Sequence, residues 1–143
     1  MWVVVHVYAG LAIAALVKEP AWLVAVLAFG SHVPLDVIPH WDYTVSRHPI
    51  AWGWADFLAG LATLLVCLFV LDMPWWLVAM GPLSGAPDFD VLAAAIRGEE
   101  ARHWFPSHWK SFPHGQASPV PGIAVQAVIM AACVAVVLAG RPY

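Results

Sequence analysis

The chain has 143 residues, of which 62% are hydrophobic and only 10% charged, against roughly 25% charged in an ordinary soluble domain. A soluble protein of 15.5 kDa has too little interior to hide that much apolar surface, and six Lys+Arg with a net charge of −3 leave no basic footprint. These numbers exclude a cytosolic globular enzyme, a disordered tail and a nucleic-acid binder. They leave a small all-α integral membrane domain.

Five apolar segments follow one another along the chain: Trp2–Val17, Pro20–Ile38, Ile50–Leu71, Pro74–Leu83 and Pro121–Ala139. A spanning helix needs about 20 residues. The third and fifth segments reach that length and the second nearly does. The first is short, and the fourth is short and interrupted by Gly81, Pro82 and Gly85. Trp2–Val17 lacks a basic flank before it and a small-residue cleavage site after it, so it reads as the first membrane helix rather than a signal peptide. Val91–Trp104 reads as a short helix on the membrane surface, and the proline-rich Phe105–Pro121 as loop. Cys67 and Cys133 lie inside apolar runs and read as small buried residues. The expectation is one helical bundle of about five transmembrane helices over residues 1–143.

The segments repeat. Ala9-Gly10-Leu11-Ala12 recurs as Ala59-Gly60-Leu61-Ala62, and Pro20-Ala21-Trp22-Leu23-Val24-Ala25 as Pro74-Trp75-Trp76-Leu77-Val78-Ala79. Pro34-Leu35, Pro39, Trp41 and Asp42 recur in order as Pro82-Leu83, Pro87, Phe89 and Asp90. This predicts a duplicated helical hairpin, with repeat 1 at about 2–42 and repeat 2 at about 52–90. An interfacial loop over 91–120 and a final transmembrane helix over 121–139 follow. Two-span copies run parallel, related by an axis along the membrane normal.

Numbering the spans places all seven histidines on one face: His6, His32, His40, His48, His103, His108 and His114. Asp36, Asp42, Asp56, Asp88, Asp90, Glu99 and Glu100 share it, whereas the other face has Lys18, Glu19, Asp72 and Arg141. Ionisable groups inside apolar helices are costly and usually face a cavity or a partner. The histidine face carries Arg47, Arg97, Arg102 and Lys110 against Lys18 and Arg141, which by the positive-inside rule makes it cytoplasmic.

The most specific feature is the segment from Ser31 to Asp42. His32 and Asp36 stand at i and i+4, one above the other on a helix face. Imidazole and carboxylate so placed can ligate one ion, and the pair suits zinc, manganese or iron. His40 and Asp42 follow in the exit turn, and Asp88 and Asp90 occupy the end of the second repeat. His6 and Asp56 each precede an Ala-Gly-Leu-Ala by three residues. Pseudo-symmetry brings these groups around one centre, with more ligands than a single ion requires, so two or more divalent ions are expected. Simpler roles stand beside this reading. His6 alone fits a hydrogen-bonded structural group, Asp56 a helix N-terminal charge, and Asp88 and Asp90 turn formers next to Pro87. His103, His108 and His114 sit among Trp104, Phe105, Trp109 and Phe112, which also fits an interfacial belt. Gln126, one turn after Gly122, reads as a hydrogen bond between helices.

Taken together, these elements resemble the bacterial and archaeal membrane-bound metal-dependent hydrolases. The resemblance rests on His6 to Gly10, on Ser31-His32-x-x-x-Asp36-x-x-Pro39-His40-x-Asp42, and on Asp56 with Gly60. It continues through Gly85-Ala86-Pro87-Asp88, the loop His103–His114 and the final Gly122-x-x-x-Gln126. It covers nearly the whole chain, and the Ser31–Asp42 segment is its specific part. The loop reads His103-Trp104-Phe105-Pro106-Ser107-His108 where some members have His-Arg-Gly-x-Thr-His, which leaves the role of the loop histidines open. A more distant likeness, through His32-x-x-x-Asp36 alone, is to zinc-dependent phospholipase C.

The resemblance implies a hydrolase in the prokaryotic cytoplasmic membrane, acting through metal-activated water on a lipid or interfacial ester, most plausibly a phosphoester. The expected metal ligands are His6, His32, Asp36, Asp56, Asp88 and Asp90. His40 and Asp42 serve as further ligands or orienting groups, His103 or His108 protonates a leaving group, and Arg102 or Lys110 holds a phosphate. Membrane lipid is the expected partner, nucleic acid is not, and a homo-oligomer is compatible with the sequence. The alternative is a non-catalytic metal-binding membrane protein, such as a sensor, carrier or assembly factor. A histidine-rich membrane oxygenase ranks third, because such sites use many more histidines in helical pairs.

Overall fold

A helix that is apolar all round belongs in an interior, and α1 (Val3–Val17) is such a helix. Its small residues Ala9, Gly10, Ala12, Ala14 and Ala15 are all buried and let neighbours approach closely. The computed structural model gives the backbone of residues 1–97 and 103–140, with side chains described for all of these except 94–97. Among the described residues every regular element is helical, and the only strand-like pairing is an isolated parallel bridge between His40 and Gln116.

Around α1 pack α2 (Ala21–Gly30), α4 (Pro49–Phe69), α6 (Met80–Gly85) and α8 (Pro119–Ala139). Val7, Leu11, Val24, Met73, Leu77 and Val137 form the shared core. The closest crossing is α1 with α6. A Cβ on Gly10 would collide with the carbonyl oxygen of Met80, and one on Gly81 would stand 3.1 Å from Val7 and Leu64. These glycines bring α6 and the turn beyond it against the first turns of α1.

The second segment is broken into α2 and α3 (His32–Val37). Two causes are local. Ser31 Oγ donates back to the Ala28 carbonyl at 2.7 Å, a bond that bends helices. Pro34 has no N–H for the Gly30 carbonyl. The fourth segment is also broken, but at Ala79, between α5 (Trp75–Val78) and α6. Gly81, Pro82 and Gly85 were expected to interrupt it. Pro82 follows the break by three residues, as Pro34 follows Ser31, and has no N–H for the Val78 carbonyl, whereas Gly81 and Gly85 belong to α6.

The predicted surface helix is α7, described over Phe89–Arg97. His103 and Trp104 lie outside it, in the loop that follows. A short 3-10 turn, Pro106–His108, interrupts that loop. The last helix begins at Pro119, two residues before the expected start, with proline in the first turn.

Two helices, α4 and α8, are long and apolar enough to cross a membrane. Neither is a core helix: α4 buries only Asp56, Gly60 and Cys67, and α8 only Gly122, Gln126 and Val137. Leu64, Leu68, Cys133 and Val136 pack partly buried against the core, and most of the other apolar residues of these two helices face outward.

Candidate metal centre

The site is assembled at the end of the bundle where α1 begins. Three amides there lack helical acceptors and are taken by side chains of other helices. Asp56 accepts from Val3 N and Val4 N, each at 2.8 Å, and Gln126 Oε1 accepts from Trp2 N at 3.0 Å. Gln126 Nε2 donates to the Trp41 carbonyl at 3.0 Å. These bonds tie α4, α8 and the exit from α3 to one end of α1. They also fix His6, one turn further along.

His6, His32, His40, Asp36 and Asp90 are buried here, with Asp88 and His108 half-buried beside them. His32 and Asp36 do share a face of α3, with Nε2 3.1 Å from Asp36 Oδ2. The turn after α6 brings Asp88 Oδ1 to 3.6 Å from His32 Nε2. The loop brings His108 Nε2 to 3.3 Å from His32 Nε2, 3.5 Å from Asp36 Oδ2 and 3.4 Å from Asp88 Oδ1. On the other side His6 Nε2 stands 3.5 Å from Asp36 Oδ1 and 3.9 Å from Asp88 Oδ2. Each of the two carboxylates therefore offers one oxygen to His32 and His108 and the other to His6, and Asp36 Oδ1 also accepts from the Met1 ammonium at 3.2 Å. The rings of His6 and His32 stack with centroids 3.9 Å apart.

The chemistry of these donors fits a cation. His32 Nδ1 faces the Ser84 carbonyl at 2.9 Å, and His108 Nδ1 faces Asp90 Oδ1 at 2.6 Å. Both partners are acceptors, so both Nδ1 atoms carry hydrogen. In neutral rings both Nε2 atoms then present lone pairs to each other across 3.3 Å. Two acceptors so placed need a positive centre between them. Two atoms bound to one tetrahedral ion at about 2.0–2.1 Å lie about 3.3 Å apart, the spacing found here. Histidines that hold metals commonly donate their other N–H to a carbonyl or carboxylate, as both do here. His6 Nδ1 and Nε2 and Asp88 Oδ2 are buried without any hydrogen-bond partner, a costly arrangement unless a ligand meets them.

A proton can supply part of that positive charge. Burial opposes a charge on His108, but its hydrogen bonds to Asp36, Asp88 and Asp90 outweigh burial and raise its pKa to about 10. Burial raises the Asp88 carboxyl, and the facing histidines, His108 first, more than offset this and hold it below the ordinary value. Burial alone dominates at His40 and lowers it to about 4.

Other expected site residues stand elsewhere. Asp56 does not join the cluster, because both of its oxygens are taken by the α1 amides; the convergence expected from the repeat stops there. Asp90 backs His108 rather than facing the other ligating atoms, and its second oxygen accepts from Phe105 N at 2.8 Å. Asp42 caps the next turn by accepting from Thr44 N at 2.8 Å. His103 is half-buried, with Nδ1 3.7 Å from Asp90 Oδ1. Lys110 is exposed in the loop. Arg102, Glu99, Glu100 and Arg141 lie outside the described residues.

Sequence reasoning missed Ser107 and Ser84, and it placed His114 on the histidine face without assigning it a ligand role. Ser107 is fully buried and its hydroxyl donates to Asp36 Oδ2 at 2.8 Å. It sits in an aperiodic loop and carries no sequence signal. Ser84 contributes a backbone carbonyl, which residue type does not reveal. Comparisons with family models, with curated proteins and with solved structures return no match to this chain.

Proposed function

We propose that the chain is a membrane-embedded, metal-dependent hydrolase with its centre at one membrane face, acting on a lipid or interfacial phosphoester. The observation that carries the reading is the pair of Nδ1-anchored imidazoles, His32 and His108, aiming Nε2 atoms at each other between Asp36 and Asp88. Two nitrogens with carboxylate oxygens suit zinc, and manganese or iron(II) as well.

Membrane insertion is supported by the outward apolar faces of α4 and α8 and by the tryptophans. Trp52, Trp54, Trp104 and Trp109 are exposed at the site end, and Trp22 and Trp75 at the starts of α2 and α5. Two belts of this kind mark the two interfaces of a bilayer. A centre beside one belt meets the headgroup region, where the phosphoesters of lipids lie.

A divalent ion held by His32, His108, Asp36 and Asp88, with His6 next to it, would supply Lewis acidity toward water and a phosphoryl oxygen. The chain's own residues do the rest. Asp90 and the Ser84 carbonyl keep the two imidazoles in one tautomer, and Ser107 fixes Asp36. His103, half-buried beside Asp90, lies outside the main cluster and would hold a proton for a leaving group.

Purified protein in detergent is assayed for bound metal by elemental analysis and for turnover of phospholipids and generic phosphoesters. The expected result is bound transition metal and turnover, both lost on His32→Ala or Asp36→Ala with helicity retained. Folded protein that binds no metal refutes the centre. Metal without turnover of any phosphoester moves the protein to a non-catalytic metal-binding role.

A further inference from the structure

His40 has no task in the centre described above, yet it is 1% exposed. Its Nδ1 faces the Ile38 carbonyl at 2.8 Å and must donate to it. Its Nε2 therefore carries a lone pair, and that atom is buried without a hydrogen-bond partner. Facing it edge-on, with centroids 4.9 Å apart, is the ring of His114. One ligating atom each from Asp36, His40 and His114 lie within 4.8 Å of one another.

The backbone holds these three groups together. Gly115 N donates to the Asp36 carbonyl at 2.8 Å, and Ala117 N to the His40 carbonyl at 2.9 Å. A Cβ on Gly115 would collide with the carbonyl oxygens of Val37 and Ile38, so only glycine lets the loop lie against the exit of α3. His114 is thereby delivered to His40 by main-chain pairing rather than by a flexible side-chain contact.

We infer that Asp36, His40 and His114 form a further binding position for a divalent transition-metal ion, separate from that of His32, His108 and Asp88, with Asp36 shared between them. The inference rests on the metal-centre reading above, because the two positions have a carboxylate in common. Two imidazoles and one carboxylate suit zinc or iron(II), and three protein ligands leave coordination positions open. His114 is half-buried, as are His108 and Asp88 of the main centre. The further position has three protein ligands against four, so its ion is the weaker-held and the first to be removed by a chelator.

The full chain in detergent is stripped of metal and titrated with zinc and with cobalt(II), followed by equilibrium dialysis, elemental analysis and the visible cobalt spectrum. Wild type is expected to fill in two affinity classes. His40→Ala and His114→Ala should each weaken the looser class by at least about 10-fold and leave the tighter class intact. His32→Ala should remove the tighter class. Circular dichroism reports whether each variant folds, and His114→Gln, in the half-exposed loop, keeps the test open where His40→Ala does not. Wild-type stoichiometry and spectrum in both folded histidine variants overturn the inference while the main centre stands. Loss of all metal in folded His114→Ala also overturns it, since the two positions are then one. Wild type that binds no metal at all overturns the main reading and this one with it.

Discussion

Asp90→Asn tests whether His108 is a metal ligand held by its rear hydrogen bond. Asp90 is 5% exposed, and each of its oxygens accepts one hydrogen bond, from His108 Nδ1 at 2.6 Å and from Phe105 N at 2.8 Å. Asparagine is the same size but has one acceptor and one donor. If its oxygen stays on His108, its amide nitrogen is turned against the Phe105 N–H. If it flips, donor meets donor at His108 and the ring loses its anchor. Either way the charge-assisted bond is gone. Losing such a partner typically weakens metal binding by about 10–100-fold, or about 1.4–2.7 kcal/mol. A buried donor left unpaired costs the fold about 1–3 kcal/mol in addition. The assay is competition for zinc against a chromophoric chelator, with thermal unfolding of the metal-free variant run in parallel. Folded Asp90→Asn with wild-type zinc affinity would refute the reasoning, because His108 would then not need Asp90 to present Nε2.

Metal binding should also release a proton. His108 in the metal-free protein titrates at about 10, so an ion arriving at about pH 7–8 must displace its proton. Zinc affinity then rises with pH toward 10, and the binding heat depends on the ionisation enthalpy of the buffer; a buffer-independent heat contradicts this. The same shifts set the pH dependence of metal-free stability. His108 is raised above its unfolded value of 6.5, so its contribution is full below 6.5 and is lost as pH rises through about 10. His40 is lowered to about 4, so it weakens the fold as pH falls from 6.5 toward 4. Melting curves across this range should peak near neutral to mildly acidic pH. Asp56→Ala should lower stability by about 1–3 kcal/mol through the two uncapped α1 amides, yet leave zinc stoichiometry unchanged in the folded fraction. Loss of one ion instead would return Asp56 to the ligand set. Gly10→Ala should cost about 1–3 kcal/mol or more by forcing α1 off α6, read as a lower melting temperature.

The bundle was legible because its signal is the length of uninterrupted apolar runs. Helices at 3–17, 49–69 and 119–139 follow those runs closely. The breaks were harder. Ser31 and Pro34 end α2 through a back-bond and a missing donor, which local sequence can announce. The break at Ala79 is announced by Pro82, which lacks the donor as Pro34 does, whereas Gly81 and Gly85, which looked like breakers, are instead small surfaces for α1. At the site, His32 with Asp36 was readable from the i, i+4 spacing alone. His6 and Asp88 were readable as ligands from the repeat and their shared face, and His108 only as a loop histidine with a proton-donor role. Which of the three loop histidines meets the cluster depends on how the loop pairs with the exit of α3, through Gly115 and Ala117, and periodicity does not encode that. Asp56 shows the limit of the repeat argument. It is the sequence equivalent of His6, but the end of α1 needed acceptors more than the cluster needed another carboxylate.

The contrast between Asp56 and Asp36 separates a structural buried acid from a functional one. Both are nearly inaccessible, at 4% and 0% exposure. Asp56 meets backbone amides, groups that must find acceptors wherever a helix begins in an apolar setting, so its burial is explained by the fold. Asp36 accepts from the Ser107 hydroxyl and from the Met1 ammonium, and otherwise faces the imidazoles of His6, His32 and His108. Helix packing did not require any of those rings, and apolar side chains of like volume are often as stable as a buried ionic network. Replacing the whole cluster by apolar residues should therefore leave the bundle folded, whereas removing Asp56 alone should not leave it equally stable. A set of ionisable groups that helix packing does not call for, gathered at one end of the bundle with lone pairs facing one another, is accounted for by the cation they would hold.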